Sequence, residues 1–275
     1  MTTAKTGVSI EMNEFCVIEL DSPSPIVTAA IHNGHKLSEK RSRISALTEK
    51  ERFREEDPYT GFWGKLSGNH IVSQRSRFEF DLNRAPEKAV YIHPSDAWGL
   101  TLWKKELSED LIAQTLKQYH SIYEEIRQGL EGLIERFGKI VILDLHSYNY
   151  RRGGPEAPPD DPELNPEINM GTGTMDRDYW APVVERFMED LKAFKFQGRS
   201  WDIRENIKFR GGYFPSWIHS HFGESACCIS VEVKKFFMDE WSGRPDWDTI
   251  DALSEALFGT FPGLHEEIIK KGAGE

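Results

Sequence analysis

The sequence has no hydrophobic run long enough to cross a membrane, and it has only three cysteines among 275 residues. A membrane-spanning helix needs about 20 consecutive apolar residues, so we expect no membrane partner. Cys16, Cys227 and Cys228 do not form the even, regularly spaced set that is typical of disulfide-stabilised secreted proteins. Cysteines within apolar runs are typically small core residues. The cysteine content therefore predicts a reducing environment.

An excess of basic residues is also missing. The chain has 34 lysines and arginines against 45 acidic residues, which gives a formal net charge of -11. This balance disfavours broad binding to nucleic acid or to anionic membrane surfaces. The first fifteen residues contain no apolar segment of the kind found in secretion signals. We therefore expect a cytoplasmic protein with no nucleic-acid partner.

A hydrophobic fraction of 39% with 12% aromatic residues is typical of a globular protein. Apolar runs rich in β-branched residues predict buried strands at residues 26–31, 140–143 and 228–231. Helical spacing of apolar residues predicts helices over residues 108–136, 182–194 and 246–258. Strands interleaved with helices indicate an α/β layered fold. We find no repeat or linker, so the sequence predicts one domain over residues 1–275.

Each predicted strand is followed by a side chain that can bind a metal or move a proton. His32 follows the first strand, His146 the second and Glu232 the third. In open α/β sheets, ligands bind beyond the carboxyl ends of the strands. A lone histidine is usually structural, but two histidines and a glutamate at three strand ends favour a hydrolytic metal site.

A catalytic zinc usually has three protein ligands and keeps a fourth position for water. Two histidines with one carboxylate are a common set, and candidate carboxylates lie in the acidic segment 54–59. On composition alone, that segment would be a solvated turn. The histidines are what make it a candidate for the third ligand.

Arginines flank residues 78–83, whose alternating pattern predicts a further strand. Arg77 precedes this segment and Arg84 follows it. An arginine can hold a carboxylate through two parallel hydrogen bonds, or stabilise the oxyanion that forms when water attacks an amide. Arg210 precedes two glycines, which allow the backbone to approach a ligand closely.

Two further segments lie near these candidates in the sequence. The proline- and glycine-rich residues 152–162 predict a surface loop close to the site. Alternation in residues 217–222 places His219 and His221 on one face of a strand, with a structural or surface role.

Six segments of the chain, taken in order, resemble the N-formylglutamate amidohydrolase family, a branch of the zinc-carboxypeptidase-like superfamily. No single segment is specific, but together they extend over residues 26–233. The resemblance implies a three-layer α/β/α fold with a central mixed sheet, of the phosphorylase/hydrolase-like type found in zinc peptidases. The segments are Ile31-His32-Asn33-Gly34, Glu56-Asp57-Pro58-Tyr59, residues 77–84, Asp144-Leu145-His146-Ser147, Arg210-Gly211-Gly212-Tyr213 and Ser230-Val231-Glu232-Val233.

The resemblance implies a zinc ion held by His32, His146 and a carboxylate. In the related carboxypeptidases and acylases, that carboxylate lies three residues after the first histidine. Here this position is His35, so the sequence departs from the superfamily pattern. The family resemblance favours Asp57 as the third ligand, with Glu56 as the alternative. Other divalent metals also bind such donor sets.

The resemblance also assigns roles around the metal. Glu232 matches the general base, while Asn83 and Arg84 match residues that contact the substrate. We expect Arg77, or alternatively Arg84, to help stabilise the oxyanion, and Arg210 to help bind the substrate carboxylates.

The function implied is zinc-dependent hydrolysis of the amide bond of an N-acyl acidic amino acid, such as N-formyl-L-glutamate, in amino-acid catabolism. The alternatives are another N-acyl amino acid deacylase or carboxypeptidase of the superfamily, or a non-catalytic binding protein. Several arginines facing the metal would favour a dicarboxylate, whereas one would favour a peptide C-terminus.

Overall fold

The computed structural model describes residues 14–273. This part of the chain is built around one seven-stranded β-sheet. The strands are β1 Cys16–Glu19, β2 Ile26–Ala30, β3 Asn69–Ser73, β4 Ile140–Tyr148, β5 Ile168–Gly171, β6 Ile203–Glu205 and β7 Ala226–Lys234. Their order across the sheet is β1-β3-β2-β4-β7-β5-β6. No helix within residues 14–273 has the length and apolarity needed to cross a membrane.

The predicted strands form the centre of this sheet. β2 pairs in parallel with β4, and β4 pairs in parallel with β7. Their carboxyl ends therefore meet at one edge. The antiparallel strands β1 and β5 make the sheet mixed, as expected. β4 and β7 extend further than the apolar runs, so His146 and Glu232 lie inside these strands and not after them.

All three predicted helices are present. The helix predicted over residues 108–136 begins at a Ser108 cap and ends at Gly138, whose φ of 74° suits a glycine. The α-helices are α1 Glu39–Ile44, α2 Glu49–Glu55, α3 Thr60–Trp63, α4 Glu109–Phe137, α5 Ala181–Ala193, α6 Tyr213–Phe222, α7 Trp247–Gly259 and α8 Phe261–Ala273. Short 3-10 helices occur at Pro86–Lys88, Pro94–Asp96, Gly223–Ser225 and Lys235–Phe237.

Alternate residues of β4 face two separate hydrophobic layers. Val141, Leu143 and Leu145 pack in the layer that contains α5, α7 and α8. Ile140 and Ile142 pack in the layer that contains α4 and α6. Helices therefore cover both faces of the sheet, and the three-layer α/β/α architecture is confirmed.

The strand predicted at residues 78–83 is wrong, because this segment forms turns. The backbone N–H of Glu79 donates to Ser76 O, and that of Arg84 donates to Asp81 O. The apolar side chains of the segment are buried, but they do not share one sheet face. Phe78 packs in a small cluster of its own, whereas Phe80 joins the α4 layer. The alternation of apolar and polar residues therefore reflects side chains that are buried on two sides of a turn.

The strand predicted around His219 and His221 is also wrong, because both lie on α6. Residues two apart on a helix point about 200° away from each other. His219 is held by Thr174 Oγ1 at 3.0 Å from its Nδ1 and by the Cys228 N–H at 3.0 Å from its Nε2. Burial lowers the pKa of His219 to about 4. Its role is structural, as expected.

We predict that Phe187→Ala lowers the free energy of unfolding by about 3–5 kcal/mol, because Phe187 is fully buried between α5 and the sheet. Phe258→Ala is the matched control. Phe258 is 58% exposed on α7, and its loss should change the free energy by no more than about 0.5 kcal/mol. Urea unfolding followed by circular dichroism measures both. Equal losses in the two variants would contradict this description of the core.

Candidate active site

Three buried side chains converge at the carboxyl edge of the central strands. His32 follows β2, His146 is near the end of β4, and Asp57 follows α2. The Oδ2 atom of Asp57 lies 3.0 Å from His146 Nδ1 and 3.3 Å from His32 Nδ1. One ligand atom from each residue can be chosen so that all three lie within 4.8 Å of one another. This spacing can accommodate a single metal ion.

The donor chemistry of this group fits a divalent metal. Two imidazoles and one carboxylate are a common zinc set. His32 Nδ1 is buried and makes no hydrogen bond within the described chain, although it faces the other two donors. Such an unsatisfied buried nitrogen is uncommon in folded proteins. A metal bound at this position would satisfy it.

Each histidine has a second carboxylate behind its ring. His32 Nε2 lies 2.7 Å from Asp81 Oδ1, and His146 Nε2 lies 3.0 Å from Asp144 Oδ1. A carboxylate at Nε2 orients the ring and leaves Nδ1 free for a metal. Burial opposes the charge on His146, but the neighbouring carboxylates of Asp144 and Glu232 raise its pKa well above the usual value.

Asp81 has more partners than any other group in this part of the site. Besides His32, its carboxylate accepts hydrogen bonds from Arg77 Nη2 at 2.8 Å, from the Tyr91 hydroxyl and from the Asn83 N–H at 2.7 Å. Burial would favour the neutral acid. The charges of His32 and Arg77 outweigh it and hold the pKa of Asp81 well below its usual range. Asp81 is therefore a fixed anion that locks His32.

The position of Asp57 depends on backbone contacts. Its N–H donates to His32 O at 3.1 Å, which ties the end of α2 to the end of β2. The ammonium of Lys235, just after β7, donates to Arg54 O at 2.6 Å and to Glu56 O at 2.8 Å. Burial lowers the pKa of Lys235 to about 8. These bonds fix the segment that carries the Asp57 carboxylate.

Glu56 points away from the two central histidines. Its carboxylate lies 2.6 Å from His35 Nδ1 and accepts a hydrogen bond from Ser76 Oγ. The superfamily pattern has an acid at the position that His35 occupies in this chain. His35 instead contacts the carboxylate of Glu56. Glu56 is buried and fully engaged, so it faces no open coordination position.

Glu232 lies directly opposite His146 in the parallel pairing of β4 and β7. Because side chains alternate along a strand, both residues face the same side of the sheet as Ile140 and Ile142. Burial raises the pKa of Glu232 to about 7, and this shift persists although the charge of His146 lowers it. A carboxylate with this pKa can accept a proton near neutral pH.

His32, Asp57, His146 and Glu232 line a cavity of about 650 Å³. The cavity is rich in cationic side chains, although the protein as a whole is acidic. Three acids line it, namely Glu55, Asp57 and Glu232. The cavity attracts an anionic ligand, because its local charge is positive. The lysines and arginines that line it are Arg77, Arg84, Lys88, Arg152, Lys208, Arg210 and Lys235.

Every predicted site residue lines this one cavity. They are His32, Asp57, Arg77, Asn83, Arg84, His146, Arg210 and Glu232. Arg84 and Arg210 are exposed, and within residues 14–273 we find no ion pair for either guanidinium. Their individual roles stay predictions. Arg152, in the loop predicted to lie near the site, also lines the cavity.

Asn83 joins two of the predicted segments. Its Oδ1 accepts the Phe214 N–H at 2.9 Å. A Cβ at Gly212 would lie 2.2 Å from that oxygen, so only glycine allows this approach. The Tyr119 hydroxyl of α4 donates to Arg84 O at 2.7 Å and fixes the other side of the turn. The Arg84 and Arg210 segments are therefore held together.

Sequence reasoning missed several cavity and supporting residues. Asp144 could have been found, because it is two residues before His146 on the same strand and must face the same side. Lys208 and Trp98 come from separate loops and carry no local signal. Lys235 could be placed only once the sheet was known.

A sequence model of the N-formylglutamate amidohydrolase family matches residues 24–238. This match covers most of the chain and includes every predicted site residue. The chain belongs to the N-formylglutamate amidohydrolase family. Membership supports an amidohydrolase activity. No curated protein matches the sequence significantly.

Solved structures agree with this family assignment at the level of the fold. An N-formylglutamate amidohydrolase from Ralstonia eutropha JMP134 superimposes with a TM-score of 0.70 at 14% identity, covering 94% of this chain and 99% of that chain. A gene product from Agrobacterium tumefaciens gives a TM-score of 0.63 at 13% identity, covering 94% and 96% of the two chains.

We predict that Asp57→Asn weakens zinc binding by more than about 100-fold. Loss of a residue that only hydrogen-bonds a metal ligand lowers the affinity by about 10–100-fold, and loss of the ligand itself should lower it further. Glu56→Gln is the matched control, since it neutralises the adjacent carboxylate and should bind zinc within about threefold of the wild type. Equilibrium dialysis with elemental analysis measures both. Retention of zinc by Asp57→Asn together with its loss in Glu56→Gln would reverse the assignment.

Proposed function

We propose that this protein hydrolyses the amide bond of an N-acyl acidic amino acid, with N-formyl-L-glutamate as the preferred substrate. The observation that carries the proposal is the cavity itself. It joins a buried His-Asp-His group to a glutamate of raised pKa and surrounds both with cations. The residues of one sheet and its flanking turns build the site, which supports our proposal that residues 1–275 form one catalytic domain.

His32, Asp57 and His146 would hold the metal, which we take to be zinc. A zinc ion supplies Lewis acidity and lowers the pKa of water to about 7. The protein holds the Nδ1 atoms of the two histidines and the Asp57 carboxylate at fixed positions. Asp81 and Asp144 do so from behind the imidazole rings.

Glu232 acts as the general base. It takes a proton from the attacking water and passes that proton to the departing amine. Two features support this role: its position beside His146 and its pKa of about 7. A carboxylate of ordinary pKa would be a weaker proton acceptor near neutral pH.

Arg77 stabilises the negative charge that develops on the amide oxygen. Its guanidinium lies at the cavity wall and is fixed by Asp81 at 2.8 Å and by the Tyr91 hydroxyl at 3.3 Å from Nε. A donor held rigidly in this way needs no reorganisation as the charge forms.

Arg84, Arg210 and Asn83 bind the remainder of the substrate. The two guanidiniums are free of ion pairs within the described chain, so they can form bidentate contacts with carboxylates. Asn83 keeps the two arginine segments at a constant separation through its bond to the Phe214 N–H. A dicarboxylate suits this arrangement.

The alternative is another N-acyl amino acid deacylase or a carboxypeptidase of the same superfamily. A peptide C-terminus has one carboxylate and needs one arginine. Several cations surround this cavity, which favours a substrate with two carboxylates. The three free cysteines are all buried, which is compatible with a reducing cytoplasm, where we place this step of amino-acid catabolism.

We predict that Glu232→Gln keeps bound zinc but lowers kcat by about 100-fold or more, because general base catalysis contributes about 10²–10⁴-fold. Amine release from N-formyl-L-glutamate measures turnover, and elemental analysis measures the metal. Glu167→Gln is the control and should keep full activity, because Glu167 does not line the cavity and its carboxylate pairs with Arg199. Turnover close to wild type in Glu232→Gln would remove this residue from the mechanism.

We predict that Arg210→Ala raises KM for N-formyl-L-glutamate by about tenfold, since one charge-assisted hydrogen bond contributes about 1.5–3 kcal/mol. The KM for N-formyl-L-leucine, which lacks a side-chain carboxylate, should rise less. Arg127→Ala, on the outer surface of α4, should change neither value. If wild type prefers the leucine compound, the substrate belongs to the neutral class and the dicarboxylate assignment is wrong.

A further inference from the structure

Trp98 is an exposed tryptophan at the wall of the active-site cavity. It is 46% exposed, whereas Trp63 and Trp180 are fully buried. Large exposed aromatic side chains beside a cavity commonly mark a binding surface. None of the roles assigned above uses Trp98.

The indole of Trp98 lies against two cavity arginines that come from different parts of the chain. The guanidinium carbon of Arg77 is 5.0 Å from a Trp98 ring centroid, and that of Arg152 is 5.7 Å away. Arg77 belongs to the turn after β3, and Arg152 to the loop after β4. Trp98 therefore connects two walls of the cavity through cation–π contacts.

The same two arginines also meet Glu55. Arg152 Nη2 lies 3.2 Å from Glu55 Oε2, and Arg77 Nη1 lies 3.5 Å from Glu55 O. The Arg77 side chain is mostly buried, whereas that of Arg152 is 43% exposed. Arg152 thus has one carboxylate partner and an open side that faces the cavity under the indole.

The backbone at Trp98 is held in an unfavourable conformation. Its φ is 52°, in the left-handed region that bulky residues rarely adopt. Strain of this kind persists only where the surroundings impose it, and it clusters at functional sites. Here the strained residue is the one that projects over the cavity.

The surroundings do impose this conformation. Ala97 is fully buried in a small cluster with Phe78 and Tyr91. The Gly99 N–H donates to Pro94 O at 2.8 Å, which closes the turn around Trp98. The segment is thus anchored on both sides of the indole, and Trp98 itself is not part of the buried cluster.

We propose that Trp98 is a specificity-determining residue whose indole covers Arg77 and Arg152 and so forms a shielded subsite for one carboxylate of the substrate. An apolar cover removes water from the guanidiniums, and charge-assisted bonds strengthen as local water is removed. Arg152 is the partner of that carboxylate in the subsite. This inference rests on the proposed function, because it names the residues that select the acidic substrate.

The test compares three substrates of nearly equal shape. They are N-formyl-L-glutamate, N-formyl-L-glutamine and N-formyl-L-isoglutamine, in which one or other carboxylate is replaced by a neutral amide. We expect wild type to prefer the diacid over at least one amide. Trp98→Ala should reduce that preference in kcat/KM by about tenfold, mainly through KM, while zinc content stays unchanged.

Two further variants separate the subsite from structural damage. Trp98→Phe keeps an aromatic face and should hold the preference within threefold of wild type. Trp98→Gly relieves the strained φ, so it should melt no lower than Trp98→Ala while losing the preference equally. Trp247→Ala removes another half-exposed tryptophan away from this cavity and should change nothing.

A change of less than threefold in the preference of both Trp98→Ala and Trp98→Gly would overturn the proposal. If wild type hydrolyses none of the three compounds, the proposed function fails. The subsite is then tested by calorimetry with glutarate and its monoamide. Loss of the glutarate preference in Trp98→Ala supports the subsite, whereas no glutarate binding to wild type, or an unchanged preference, overturns it.

Discussion

The parallel pairing of β4 with β7 is the constraint on which the site depends. It sets His146 opposite Glu232, and the alternation of each strand turns both side chains to the same face. A slip of one residue in this register would send one of them into the opposite hydrophobic layer. The apolar residues of both strands prevent that slip, because Val231 and Leu145 are buried in the layer on the other face. Packing of the core thus fixes the spacing of the chemistry.

The site is built from ions that burial would disfavour if each stood alone. Burial opposes the charges of Asp57 and Asp81. Hydrogen bonds from His146 and His32 to Asp57, and the charges of His32 and Arg77 beside Asp81, nevertheless lower both pKa values, and both groups remain ionised. Glu232 is the exception, since burial dominates there and raises its pKa. One environment therefore provides both fixed anions, which orient the histidines, and one carboxylate that can exchange a proton. This division suits an amidohydrolase. A carboxylate that orients a histidine must stay ionised, whereas a carboxylate that transfers a proton must gain and lose one.

Asp81 explains why a turn, and not a strand, carries the segment 77–84. A turn lets one carboxylate face His32, Arg77 and the Asn83 N–H together. In an extended strand, Arg77 and Asp81 would lie about 13 Å apart along the chain, too far for the guanidinium to reach the carboxylate. The same turn leaves Arg84 at the cavity rim, while α4 holds its carbonyl. The interaction that orients one histidine therefore also arranges the residues proposed to bind substrate.

The sequence by itself determined the fold class, the three central strands and the residues at their ends. Strand periodicity and the apolar runs carry that information locally, so His32, His146 and Glu232 could be grouped from the chain alone. The family resemblance favoured Asp57. The preceding residue, Glu56, has its carbonyl bound by the distant Lys235, and its carboxylate turns to His35. Only the tertiary structure decided how these neighbouring acids are separated, that Asp81 and Asp144 stand behind the rings, and that Arg152 and Trp98 meet at the cavity. These contacts join residues far apart in sequence, and local patterns do not encode which distant loop packs against which.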